Sequence, residues 1–330
     1  MSAPASAPAM LSTVDDYLGP GEKRFFGCGF RRVGYRVSEI ESTCTDTGEL
    51  RAESTVGLAY PADWSRKNAS RDLRPHFSTI DALVLAVEAS ELALTDAYGP
   101  ELGRLWVRRV RISAGTKPQE DLGRLPIRLT GRTENKGDRA DSVTDCRIGT
   151  MRVRTDLVHA EVTPRPGTRR YDTPSTVLGP AADRYYGEGF KAWSQEIRDV
   201  RIDRGALRAA AHLALSPDDS LVTPTVRSAP SVSMVDGFVT ALQLAQVLLY
   251  DLDDVRRADS ETLWMRQTVL TCARQELPCP DGVDVATWLE NAERISMGGA
   301  LWRTADIVGD IGGIELRSAV THRLPTGAGE

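Results

Sequence analysis

Residues 18–30, LGPGEKRFFGCGF, return at 178–190 as LGPAADRYYGEGF. Seven of the thirteen positions are identical, and two more exchange Phe for Tyr. The echo continues in order along the chain. Gly48-Glu49-Leu50-Arg51-Ala52 answers Gly205-Ala206-Leu207-Arg208-Ala209, and Pro75 to Asp81 answers Pro230 to Asp236. Leu105-Trp106-Val107-Arg108 answers Leu263-Trp264-Met265-Arg266, and Ile148 to His159 answers Ile311 to His322. The offset stays between 155 and 163 residues, as expected when loops change length and regular elements do not. A period of half the chain points to a duplicated domain and not to a solenoid. The chain therefore divides into a flexible tail (1–13), an N-terminal repeat (14–162), a linker (163–175) and a C-terminal repeat (176–330).

Each half has the same grammar. An aromatic-rich strand signal follows the LGP turn, and two further strands, 33–40 and 50–60, flank a Thr-Asp-Thr-Gly turn. The first helix is predicted from about Thr79 to Tyr98, with Ser78 as N-cap and Asp81 in the first turn, where the helix end favours negative charge. The second runs from Met234 to Tyr250. Apolar residues cover nearly every side of both, the mark of a helix buried all round. The remaining strand signals are 105–112, 125–133 and 142–159, the last bent at Gly149, and in the second half 263–271, 291–308 and 311–322. A sheet needs one face covered and these helices need every face covered. The expected fold is α+β: a tandem, or double, hotdog with two antiparallel sheets, each wrapped around a long buried helix. A ferredoxin-like pair needs a second long helix in each half, and none is present.

Composition excludes several functions. Lys and Arg number 41 against 46 Asp and Glu, the net charge is −5, and no basic block occurs, so nucleic acid is not the expected partner. The five cysteines have no CxxC and no Cys/His spacing, which predicts no metal, no disulfide framework and a reducing cytoplasm. No cofactor motif is found. Gly27-Cys28-Gly29 lacks the third glycine of a phosphate loop, and Cys28 is answered by Glu188, which argues against a nucleophile. The start, MSAPASAPAM, has neither the charge nor the apolar core of a targeting segment. The apolar run Ile80 to Leu94 carries Asp81, Glu88 and Glu91 and is too short to cross a bilayer.

Candidate chemistry gathers at the helix starts. The first turn of a helix offers unpaired N–H groups that can polarise a carbonyl. Asp81 and Asp236 occupy equivalent first-turn positions, as general acid or base or as simple dipole partners. His76 precedes the first helix where the second copy has Ser231, and imidazole is suited to proton transfer near neutral pH. Glu88 and Gln243 lie two turns further on the same faces, where a buried polar group must find a partner or line a tunnel. His159 and His322 match in the last strand of each half, either as a facing pair or as structural residues.

Val14-Asp15-Asp16-Tyr17-Leu18-Gly19-Pro20, followed by Arg24-Phe25-Phe26-Gly27-Cys28-Gly29-Phe30-Arg31-Arg32, resembles the start of the AvrD family. The resemblance implies secondary metabolism: syringolide-type elicitors made from a β-ketoacyl chain and a ketose, chemistry similar to the condensing step of A-factor-type synthases. It assigns no catalytic residues. The segment Val235-Asp236-Gly237-Phe238 with Gln243 resembles the aspartate helix of polyketide dehydratase domains, but the HxxxGxxxxP motif of those domains is absent. Three functions follow as expectations. The first is acyl transfer from an acyl carrier protein or CoA thioester to a small polyol or sugar-like acceptor, with Arg108 and Arg266 meeting an acidic carrier. The second is a dehydratase or cyclase using His76 with Asp236. The third is a non-catalytic ligand-binding or scaffolding hotdog pair. A homodimer is possible on any of the three.

Overall fold

A computed structural model describes residues 9–64, 74–218 and 230–325. Strand β1 (Ala9–Thr13) and the short helix α1 (Asp15–Leu18) lead into two 3-10 turns at 21–23 and 29–32. The hairpin β2 (Gly34–Cys44) and β3 (Glu49–Ala59) precedes helix α2 (Thr79–Tyr98), and β4 (Trp106–Ser113), β5 (Leu125–Lys136), β6 (Arg139–Ile148) and β7 (Met151–Ala160) follow it. The same succession then recurs. It comprises β8 (Gly167–Tyr171), α3 (Ser175–Leu178), 3-10 turns at 181–183 and 189–192, β9 (Trp193–Asp203), β10 (Arg208–Pro217), α4 (Met234–Asp253), β11 (Trp264–Cys272), β12 (Val283–Met297), β13 (Ala300–Ile311) and β14 (Ile314–Arg323).

All fourteen strands form one antiparallel sheet, in the order β1-β9-β10-β12-β13-β14-β11-β4-β7-β6-β5-β3-β2-β8. The order reads alike from either end. Its centre is the β11–β4 pair, where Gln267 faces Ser113 and Thr271 faces Arg109. The expectation of two sheets is corrected here. Left apart, β4 and β11 would each present a row of unpaired backbone groups, and pairing removes both edges at once. The sheet packs against two buried helices, a hotdog-like arrangement. Bulges at Val107/Arg109 in β4 and Met265/Gln267 in β11 bend the central strands at corresponding places.

Both helices are sealed in. In α2 only Ala89, Glu91 and Thr95 are not fully buried, and in α4 only Gln246, Asp251 and Leu252. By length and composition α4 could cross a membrane, but 83% of that window is buried inside the protein. Each helix opens with a reciprocal capping box, Ser78 with Asp81 and Ser233 with Asp236.

Several boundaries differ from the sequence reading. Residues 9–13, read as loose tail, form β1, and the linker contains β8. These strands pair with β9 and β2, so each half's leading arm extends the other half. Both are five-residue edge strands with few buried side chains, so neither shows an apolar alternation. The stretch 142–159 is a hairpin turning at Gly149, and 291–308 spans parts of two strands that turn at Gly298-Gly299. The aromatic signal after LGP is not a strand but the pair of 3-10 turns. A Cβ on Gly27 would lie 2.4 Å from the Gly21 carbonyl oxygen, and one on Gly187 would lie 2.5 Å from that of Ala181. Both echoed glycines therefore serve a chain folded tightly on itself.

Candidate active site

The echoed segments that organise the sequence also form the seam between the halves. Phe30 and Phe190 stack on each other with centroids 6.3 Å apart, and Phe26 packs edge-on against Phe238 of α4 at 5.8 Å. Each echoed arginine crosses to the other half's helix. Arg24 Nη1 donates to Gln243 Oε1 at 2.5 Å, and Arg184 Nη1 donates to Glu88 Oε1 at 2.8 Å. Glu88 and Gln243, read from sequence as lining a tunnel or finding a buried partner, each meet an arginine of the other half. Burial pushes the Glu88 carboxyl up, and Arg184 opposes that shift.

A cavity of about 300 Å³ opens at this seam, beside the start of α2. The first half contributes Arg24, Phe25, Phe26 and Trp64, with His76 to Thr79 and the 114–119 loop. The second half contributes Gln246, Arg257, Thr262 to Arg266, Met297 and Trp302. Aromatic and aliphatic side chains dominate the walls, as in most small-molecule sites.

His76 stands between the two halves. Its ring meets Trp64 edge-on at 5.7 Å and Trp264 at 5.4 Å. Nδ1 lies 3.5 Å from the Arg74 carbonyl oxygen, and Nε2 has no hydrogen-bond partner among the described residues. Burial lowers its pKa below the ordinary imidazole value, with the Arg74 carbonyl and Asp81 opposing, so the ring is neutral and able to accept a proton at pH 7.

Asp81 lies behind this wall and does not line the cavity. It is wholly buried and accepts from the Ser78 amide at 3.0 Å, Ser78 Oγ at 2.7 Å, Tyr35 at 2.7 Å, and Tyr60. The Tyr60 hydroxyl also lies 3.0 Å from the His76 carbonyl oxygen. Asp81 therefore reaches His76 only through Tyr60 and the backbone. Burial raises the Asp81 carboxyl, and the Tyr60, Ser78 and Tyr35 hydrogen bonds oppose the rise. The capping box engages the amides of Ser78 and Asp81, while those of Thr79 and Ile80 take no part in it.

The other predicted residues lie elsewhere. Asp236 is held at the start of α4 by Ser233, Gln195 at 2.7 Å and Tyr185 at 3.2 Å. The nearest α4 residue on the cavity wall, Gln246, is ten residues further along, roughly 15 Å of helix. The structure does not bring His76 and Asp236 together. His159 bonds Ser142 at 2.7 Å and packs on Tyr98, while His322 lies 3.9 Å from Asp253 and packs on Tyr250. Each therefore belongs to the C-terminal end of its own helix, and they do not face each other. Sequence reasoning passed over Trp64, Trp264, Arg24 and Arg257. Two of these carried a usable signal, since Arg24 is echoed in the sequence by Arg184 and Trp264 by Trp106.

Glu91 is the counterpart of Gln246 on α2. Burial, reinforced by the neighbouring Glu88 charge and opposed by Arg184, pushes its pKa up to about 7. A carboxyl raised in the folded state costs stability as pH climbs from its unfolded value through the folded one. Glu91→Gln is expected to stabilise the protein by about 2–3 kcal/mol at pH 8, and by little at pH 4.5. Urea unfolding at the two pH values measures the difference, and equal effects at both would contradict it.

A search among curated proteins found no match. Three of the solved structures similar to this chain are a dehydratase domain, a pyran synthase domain and a thioesterase. The dehydratase domain of the polyketide PpsC from Mycobacterium tuberculosis is 14% identical over 87% of this chain and 98% of that one, with a TM-score of 0.37. The pyran synthase domain from module nine of the sorangicin pathway is 15% identical over 86% and 96%, with a TM-score of 0.40. A putative oleoyl thioesterase from Lactobacillus plantarum is 11% identical over 88% and 98%, also at 0.40. The family profile described as Pseudomonas avirulence D protein (AvrD) matches residues 9–325, nearly the whole length, and the chain belongs to the AvrD family.

Proposed function

We propose that this chain is a secondary-metabolism enzyme made of two duplicated hotdog halves, a double hotdog. It takes a β-ketoacyl thioester from an acyl carrier protein or CoA and transfers the acyl group to a hydroxylated small molecule. The observation that carries the reading is His76, whose Nε2 has no hydrogen-bond partner among the described residues and whose ring is set between Trp64 and Trp264 in an aromatic cavity at the seam. The cavity walls suit an acyl chain, and the imidazole suits proton transfer.

In the step we envisage, His76 takes the proton of the acceptor hydroxyl as its oxygen attacks the thioester carbonyl. The amides of Thr79 and Ile80 stabilise the developing oxyanion. The C–O bond forms, the C–S bond breaks, and the proton passes from His76 to the departing thiolate. Asp81 and Tyr60 act as positioning residues that hold the His76 backbone. The five cysteines are free thiols, which supports a reducing cytoplasmic setting.

A dehydratase using His76 with Asp236 has less support. The two residues lie apart, and no Asp or Glu lines the cavity among the described residues. Incubation with a β-ketoacyl-pantetheine thioester and glycerol, followed by mass spectrometry, tests the reading. Acyl glycerol and free thiol are expected. Loss of water from a β-hydroxyacyl thioester, without transfer, would replace this reading by the dehydratase one.

A further inference from the structure

The two halves differ in charge on the outer face of the sheet. Their tight turns fix which positions correspond, since Ile148 pairs with Met151 in the first half and Ile311 with Ile314 in the second. On β5, β6 and β7, Arg128 stands opposite Arg147, and Arg147 opposite Arg152. The matching row on β12, β13 and β14 is Ala286, Asp310 and Glu315. In the next row Arg154 stands opposite Arg111 of β4, where the second half pairs Arg317 with Val269. The first half thus presents five arginines, all exposed, at positions where the second has one arginine and two carboxylates.

Like charges directly opposite each other on a sheet destabilise it. Arg128 has Glu53 at 4.0 Å, and Arg154 has Asp145 at 3.6 Å and Asp156 at 3.7 Å. Arg111, Arg147 and Arg152 form no ion pair among the described residues. Their charge does nothing for the fold and is open to a partner. Its place is also informative. Arg147 and Arg152 flank the β6–β7 turn, whose Thr150 and Met151 line the seam cavity beside the 114–119 loop. Lys117 and Arg266 are exposed on the same rim. The basic face therefore adjoins the cavity mouth. Neighbouring strands lie about 4.8 Å apart, so the row repeats its charge at nearly the roughly 5.4 Å pitch of an α-helix. An acidic helix laid across these strands can meet the arginines with one carboxylate per turn. Free CoA fits less well, because no aromatic side chain stands in either row to stack on its adenine.

We infer that the row Arg128, Arg147 and Arg152 docks an acidic, helical acyl carrier protein, with Arg111 and Arg154 widening the contact, and so aims the carrier's thioester arm into the seam cavity. This rests on the cavity being the thioester site. Fluorescence anisotropy of a labelled bacterial fatty-acid acyl carrier protein bearing a β-ketoacyl arm, titrated with the full chain, tests it. Binding is expected, and it should weaken about tenfold or more in the double variant Arg147→Glu/Arg152→Glu. It should also weaken from about 50 to about 300 mM salt, as contacts between exposed charges do. Both positions are exposed and the exchange relieves repulsion, so the melting temperature should hold. A β-ketoacyl-pantetheine thioester, which lacks the protein, should bind wild type and variant alike. No carrier binding, or carrier binding that survives the exchange, overturns the inference. Equal weakening of the pantetheine thioester overturns it too, by placing the arginines in the small-molecule site. So does an effect of the exchange on duplex DNA, phosphatidylglycerol vesicles or self-association while the carrier stays unbound. Carrier docking without acyl transfer would sink the transfer reading and leave this one standing, and transfer from the pantetheine thioester without docking would do the reverse.

Discussion

Replacing His76 by alanine is expected to lower turnover by a factor of about 10² to 10⁴, the usual contribution of a positioned general base. The fold should be untouched, because the side chain makes ring contacts to Trp64 and Trp264 and one long hydrogen bond to a carbonyl, none of them a core anchor. The pH profile should carry the same signature. Burial keeps the imidazole neutral further into acid than a free histidine. The acidic limb of kcat/KM should therefore have its midpoint below the ordinary imidazole pKa, and should vanish in the variant. An unchanged rate in His76→Ala, with an unchanged melting temperature, would remove His76 from the chemistry.

The largest effect on stability is expected at Asp253, the last residue of α4. Its side chain is wholly buried and takes a two-pronged ion pair from Arg303, with Nε at 2.8 Å, and a second from Arg294 at 3.1 Å. Burial alone would raise its pKa, but the Arg303 and Arg294 contacts win and hold it below the usual carboxylate range. Asp253→Ala leaves the 7%-exposed Arg303 side chain charged and short of its main partner. The expected cost is about 3–5 kcal/mol, read from urea unfolding. The sign with pH follows from the depressed pKa. The Asp253 contribution is present in full above its unfolded value, near 4, and is lost as pH falls through the folded one. The gap between wild type and variant should therefore narrow in acid. Replacing Asp253 by Leu and Arg303 by Met together should recover much of the loss, since an apolar pair of similar volume avoids desolvating two charges. A gap that persists unchanged in acid would show that the loss is one of packing and not of charge.

The sequence made the two helices plain because burial on all sides leaves no polar face to confuse the period. Thr79–Tyr98 stands in the structure with the bounds read from sequence, including its Ser78 cap. The strands β1 and β8 were hidden because an edge strand with few buried side chains carries little apolar pattern. The merging of the halves through β4 and β11 was hidden for a different reason. Backbone pairing leaves no mark on composition.

The site was legible to the same degree. His76 could be placed at a helix mouth because the mouth is a local feature. Asp81 and Asp236 looked equally well placed, and local geometry explains why they are not on the cavity wall. A capping box consumes the carboxylate, and Tyr35, Tyr60, Tyr185 and Gln195 complete its shell from distant strands and turns. The roles of Glu88 and Gln243 depended on arginines about a hundred or more residues away, beyond what spacing along one helix can reveal.

The account stands on an acyl thioester occupying the seam cavity against His76. The chain has four histidines, His76, His159, His212 and His322, so ¹⁵N spectra of the imidazoles during titration with a non-hydrolysable β-ketoacyl-pantetheine analogue resolve the question directly. His76 is expected to shift while the other three hold still. A stationary His76 with bound ligand, or a shift confined to His159 or His322, would contradict the account.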